Sequence, residues 1–217
     1  MGGSVLPVPD KVRRIETGER RHDVAPAEAQ PRRFEGEQWS GARPPNPRAA
    51  TTAYHLGMYP DALDYLDEER DAWRPFEALA DLTDEQLTVP VEAAHGWIGR
   101  QLMGHLLSGH EVALAVATEL AVNETSPAKE RADADWDARG GEVVNAEIDA
   151  TWAALSMDEL RDRFATLPGE LRGCLTVVPE SRWLKDSDHQ RFFRSETTAH
   201  YEDHLADLAA ILAEAGR

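Results

Sequence analysis

Three histidines carry the chemistry this sequence offers. His200 and His204 are four residues apart in a segment of helical period, so both imidazoles project from one face of one helix. Phe193, Leu208 and Ile211 share that face, which turns the two rings toward a core. His105 lies on the apolar stripe of an earlier helix, with Ile98, Leu102, Val112 and Val116, and Gly109 one turn later leaves room beside it. Packed helices lie about 8–10 Å apart, close enough for three imidazoles from two of them to converge. Three nitrogen ligands with an open fourth position are the pattern of a catalytic zinc site rather than a structural one. The plainer alternative, polar residues on a partly buried face, suits the pair His200/His204 better than it suits all three.

Other metal patterns fail on spacing. A zincin motif needs Glu directly after its first His, where this chain has Tyr201. A di-iron bundle needs two Glu-x-x-His motifs, and only Glu92-Ala93-Ala94-His95 matches, in a turn before a helix. Asp133, Asp135 and Asp137 imitate a calcium loop, but Ala138 and Val144 stand where glycine and the bidentate glutamate belong. Cys174, the only cysteine, sits among leucines with no histidine within a turn, so it reads as a small core residue and not a nucleophile. His110, five residues past His105, faces elsewhere and reads as a surface or packing residue. Arg100 is a candidate substrate-binding residue for an acidic group, against the commoner solvated arginine. Trp73, Trp97, Trp136, Trp152 and Trp183 read mainly as core, with one or two free to wall a pocket.

The elements that must hold these side chains are helices. Leu63, Leu66, Trp73, Phe76 and Leu79 form a first stripe, which Pro75 should kink or divide. Thr83-Asp84-Glu85-Gln86 reads as a capped turn ended by Val89-Pro90. A second helix is expected from about Trp97 to Ala121, then a loop over 123–131 marked by Ser126-Pro127. Gly140-Gly141 precedes a third segment bearing Val144, Ile148, Trp152 and Leu155. A fourth starts near Met157 and should break at Pro168-Gly169. A last helix is expected from about Gln190 to Ala215, with Gly216 as its stop. The domain is therefore expected to be all-α, a bundle of four or five helices.

Composition sets the boundaries. Of the formal charge of −17, residues 1–57 contribute about +2, with nine Lys/Arg against seven acids; the remainder carries about −19. That Pro-, Gly- and Arg-rich stretch has no hydrophobic period and is expected to be a disordered basic tail, residues 1–57, ahead of a folded domain, residues 58–217. So acidic a domain does not suit phosphate-backbone binding, which excludes nucleic acid as the expected partner. No apolar run approaches the roughly 20 residues that span a bilayer, and no signal-peptide core is evident, so a cytoplasmic protein without a membrane partner is expected.

Two stretches resemble a known superfamily. Gly96-Trp97-Ile98-Gly99-Arg100-Gln101-Leu102-Met103-Gly104-His105-Leu106 is similar to the second helix of DinB-like metal-binding bundles, and His200-Tyr201-Glu202-Asp203-His204 to their closing His-x-x-x-His. The resemblance covers roughly residues 58–217. It implies a four-helix bundle, with room for one extra helix, and a divalent metal, zinc first, held by His105, His200 and His204. The superfamily includes mycothiol-dependent maleylpyruvate isomerases and related thiol S-transferases; the isomerases carry Glu where this chain has His200. The implied function is a metal-dependent transferase or isomerase acting with a low-molecular-weight, mycothiol-like thiol on a small electrophile. The alternatives are a hydrolase that uses metal-activated water in detoxification, and a non-catalytic metal-binding stress protein. The expected partners are the thiol and the electrophile, with a homodimer among the assemblies the sequence allows.

Overall fold

In the computed structural model, residues 59–217 are described, and among them the chain is helical with no strand. The tail expected over 1–57 lies outside the described residues. No helix among the described residues is long and apolar enough to cross a membrane.

Helix α1 (Ala62–Trp73) starts where the Asp61 carboxylate accepts hydrogen bonds from the amides of Leu63 and Asp64. It buries Tyr65, Leu66, Glu69 and Trp73, a stripe stepping by four. Leu63, expected on that stripe, is instead 69% exposed, because the buried face is centred on the Tyr65–Glu69–Trp73 row and leaves Leu63 beyond its edge. Pro75 divides the segment as expected, and a 3₁₀ stretch (Arg74–Asp81) follows, burying Phe76 and Leu79. The short α2 (Asp84–Leu87) carries the anticipated capping box between Thr83 and Gln86.

The long α3 (Gly99–Val122) is the axis of the domain: α4, α5, α6, α7 and α8 all pack against it. The loop expected over 123–131 is a loop only to Ser126. Helix α4 (Pro127–Arg139) begins there, because the Ser126 hydroxyl accepts from the Lys129 amide and proline fits the first helical position. Helix α5 (Gly141–Ala153) follows the Gly140 turn.

Helix α6 (Met157–Leu175) opens on a Ser156/Glu159 capping box and runs unbroken through Pro168, against the expected break. An interior proline costs about 3 kcal/mol. Leu160, Phe164, Leu167, Leu171 and Leu175 are buried along the face that packs on α3. Burying each of these side chains contributes about 1.5–3 kcal/mol, so packing wins over the local penalty.

The last helix, expected to be continuous, is two: α7 (Ser187–Glu196) and α8 (Thr198–Glu214). Thr197 breaks them apart at φ −132°, ψ −103°. Its buried hydroxyl donates to the Phe193 carbonyl at 2.6 Å and lies 2.8 Å from the Tyr65 hydroxyl, so one local and one tertiary hydrogen bond hold the break.

Two glycines on α3 set how closely its neighbours approach. A Cβ on Gly104 would fall 2.6 Å from the Cβ of Trp152 on α5. A Cβ on Gly109 would fall 2.8 Å from the Glu196 carbonyl and 3.2 Å from Nδ1 of His200. Both absences of a side chain let α5 and α8 close on the part of α3 that bears His105.

Candidate metal centre

His105 comes from the second turn of α3, and His200 and His204 from successive turns of α8. Their ring centres form a near-equilateral triangle with sides of 4.7, 4.9 and 5.0 Å. One ligand atom from each can be chosen so that all three lie within 4.8 Å of one another, close enough to hold a metal ion. The Nε2 atoms of His105 and His200 face each other at 2.8 Å. Two nitrogens on one tetrahedral zinc, with Zn–N about 2.0–2.1 Å, stand about 3.3 Å apart, so small rotations suffice. Without a metal, one of that pair must carry a proton between them; a cation can replace it.

The electrostatics keep these nitrogens available. Burial, followed by the neighbouring His204, depresses His105 to about 4. Burial and then the flanking His105 and His204 depress His200 to about 3. Both imidazoles are therefore neutral at pH 7 and present lone pairs rather than charges. On His204, Nδ1 donates to the Asp207 carboxylate at 2.8 Å, which fixes the tautomer and leaves Nε2 as the ligand atom. The Nδ1 atom of His105 is buried without a hydrogen-bond partner, whereas His200 has the Glu196 carbonyl one turn before it as a backbone partner. Trp97 walls the site, its ring 5.1 Å from His105 and 5.4 Å from His204.

The donor set fits a borderline metal such as zinc: three imidazoles, one steadied by a carboxylate, and no fourth His, Cys, Asp or Glu among the described residues in the cluster. Such an arrangement leaves a coordination position for a small molecule.

The remaining sequence candidates fall elsewhere. His110 is fully buried in a network of its own, its Nδ1 donating to the Leu106 carbonyl at 2.9 Å and its Nε2 lying 2.6 Å from the Tyr201 hydroxyl. Tyr201 also donates to Glu69 at 2.9 Å, and Arg172 pairs with the other oxygen of Glu69 at 2.8 Å. Arg100 spends its guanidinium on the carbonyls of Trp152, Ala153 and Leu155 and the sulfur of Met157, and so caps the end of α5. His95 occupies a left-handed turn position (φ 58°) and is exposed. Cys174 is half-buried, with Thr118 its polar neighbour at 3.8 Å. Trp136 is exposed, while Trp73, Trp152 and Trp183 are core.

Asp207 is the residue that sequence reasoning missed. Its signal was its position three after His204 on one helix, the spacing at which a carboxylate reaches an imidazole. Glu196, at the end of α7, was missed as well: burial, and then Asp133, raise its carboxyl to about 7 beside the Gly109–His200 contact. No family model, no curated protein and no solved structure matches the chain.

Proposed function

We propose that this chain is a DinB-like metal-binding protein and an enzyme: a metal-dependent transferase or isomerase that joins a low-molecular-weight, mycothiol-like thiol to a small electrophile. The observation that carries the reading is the convergence of His105, His200 and His204 at a point that no other protein ligand among the described residues completes. A divalent metal held there, zinc first, supplies Lewis acidity and lowers the pKa of a thiol bound to it.

The chain's own residues have simpler tasks. His105 and His200 stay neutral at physiological pH and so offer lone pairs. Asp207 holds His204 in the ligating tautomer. Trp97 shields the two rings it touches from solvent. The nucleophile comes from outside, because Cys174 is packed beside Thr118 with none of the three histidines as a partner. Arg100 takes no part in substrate binding in this reading, since its donors serve the end of α5. The rate gain then comes mainly from holding thiol and electrophile together, where effective molarities are large.

The test is turnover of a model electrophile by metal-loaded and metal-stripped protein, with and without mycothiol. Turnover that needs both metal and thiol supports transfer. Metal-dependent turnover indifferent to thiol replaces it with hydrolysis, and no turnover across a broad electrophile panel replaces it with a binding protein.

A further inference from the structure

We propose that the cavity between the start of α3 and the end of α5 binds a small organic molecule through an ammonium group, with Asp149 as the recognising carboxylate. The cavity measures about 320 Å³, at the lower end of small-molecule sites, and Ile98, Gln101, Asp149 and Trp152 are on its wall. The wall carries two charged groups, and they are in opposite circumstances. The Arg100 guanidinium is engaged by three main-chain carbonyls and a thioether, so an anion entering the cavity must compete with the end of α5 for it. Asp149 receives one hydrogen bond, from Nε2 of Gln101 at 3.3 Å, and has no cationic partner among the described residues.

Burial raises the Asp149 carboxyl above its ordinary value, more than the Gln101 hydrogen bond lowers it. A half-buried carboxylate without a countercharge is a desolvation cost that a cation offsets on arrival. The rest of the surface is apolar: Ile98, Ala150, Ala153 and Trp152 offer room for a hydrocarbon body and little for a second polar group. The ligand class that answers both features is a primary ammonium on a compact apolar frame.

Position links this cavity to the histidines. Gln101 precedes His105 by four residues on α3, a rise of about 6 Å. Ile98 follows Trp97, whose ring lies against His105 and His204. The cavity residue Gln101 therefore lies about one helical turn from His105 along α3. That this ligand is the electrophile or the thiol rests on the proposed function; that the cavity takes it does not.

The test is a heteronuclear NMR titration of the full chain, metal-free, with benzylammonium, benzyl alcohol and benzoate as probes. The expected result is shifts concentrated at Gln101, Asp149 and the Trp152 indole, with benzylammonium bound at least tenfold tighter than benzyl alcohol and benzoate weakest. Asp149→Asn should bring benzylammonium down to the level of benzyl alcohol, and Asp149→Glu should restore the preference. Benzoate binding as tightly as benzylammonium, an unchanged preference in Asp149→Asn, or no shifts at the cavity overturns the proposal. A chain that shows the ammonium preference but binds no metal upholds the cavity and overturns the metal reading instead.

Discussion

His105 and His110 stand little more than one turn apart on α3, and their surroundings are opposite. His110 has both ring nitrogens engaged by the protein, one by the Leu106 carbonyl and one by Tyr201, inside a network completed by Glu69 and Arg172. His105 has one nitrogen buried without a partner and the other aimed at a second neutral imidazole. The first arrangement is satisfied within the chain and holds α1, α3, α6 and α8 together. The second places three nitrogen donors around one point at the expense of their own solvation. Histidine on an apolar stripe is thus ambiguous by type, and what the second nitrogen meets decides its role.

The comparison breaks most violently at the network. Glu69 is 1% exposed, and burial alone would raise its carboxyl, yet the neighbouring His110 ring and the hydrogen-bonded Arg172 guanidinium bring it below the ordinary carboxylate value. Removing one member leaves buried polar groups without partners. Glu69→Ala is expected to cost about 3–5 kcal/mol, read as a large drop in thermal midpoint, with the metal stoichiometry of the folded fraction unchanged. Variants of the histidine cluster should show the reverse: metal lost, and the metal-free midpoint nearly kept.

A sharper contrast comes from pH, because groups around the cluster are held against their solution preference. His105 and His200 have folded values of about 4 and 3, below the usual 6.5, so the unfolded chain binds more protons between those limits. Their contribution to stability is complete above about pH 6.5 and is lost as pH falls toward 4. Glu196 runs the other way. Its folded value of about 7 exceeds the usual 4.5, so stability is lost as pH rises from about 4.5 through 7. Glu196→Gln is therefore expected to stabilise the metal-free protein by roughly 1–3 kcal/mol at pH 8 and hardly at all at pH 4. Equal gains at both pH values in chemical denaturation would show that the carboxyl titrates alike in the folded and unfolded chain.

The smallest effect is expected at Asp207, whose contact serves orientation more than stability. Asp207→Ala should weaken metal binding by about 10–100-fold in competition titrations while shifting the metal-free midpoint little. An unchanged affinity would mean that His204 needs no orienting partner.

The part of this comparison that was legible in the sequence follows from period and spacing. The i, i+4 relation of His200 and His204, the apolar stripe that carries His105, and the space at Gly109 are all local statements, and the structure brings the three rings together. The separation of His110 from them was legible for the same reason, since five residues rotate a side chain off the face. Misreadings arose where distant contacts override local preference. Pro168 passes as helix because α6 is buried along α3, and Thr197 breaks a helix because Tyr65 lies against its hydroxyl. Ser126-Pro127, read as the mark of a loop, is a helix start, because the Ser126 hydroxyl accepts from the Lys129 amide. The engagement of Arg100 by the end of α5 has no sequence signature, as it depends on where a helix more than fifty residues away happens to stop.

The central claim is that His105, His200 and His204 form one metal site, and metal content tests it most directly. Purified protein dialysed against zinc should retain one equivalent per chain by elemental analysis. His105→Ala, His200→Ala and His204→Ala should each retain none with helical circular dichroism intact, while His110→Gln, insofar as it folds, retains one. A wild-type chain that holds no zinc or other divalent metal, or a single-histidine variant of the three that keeps its full equivalent, would contradict the account.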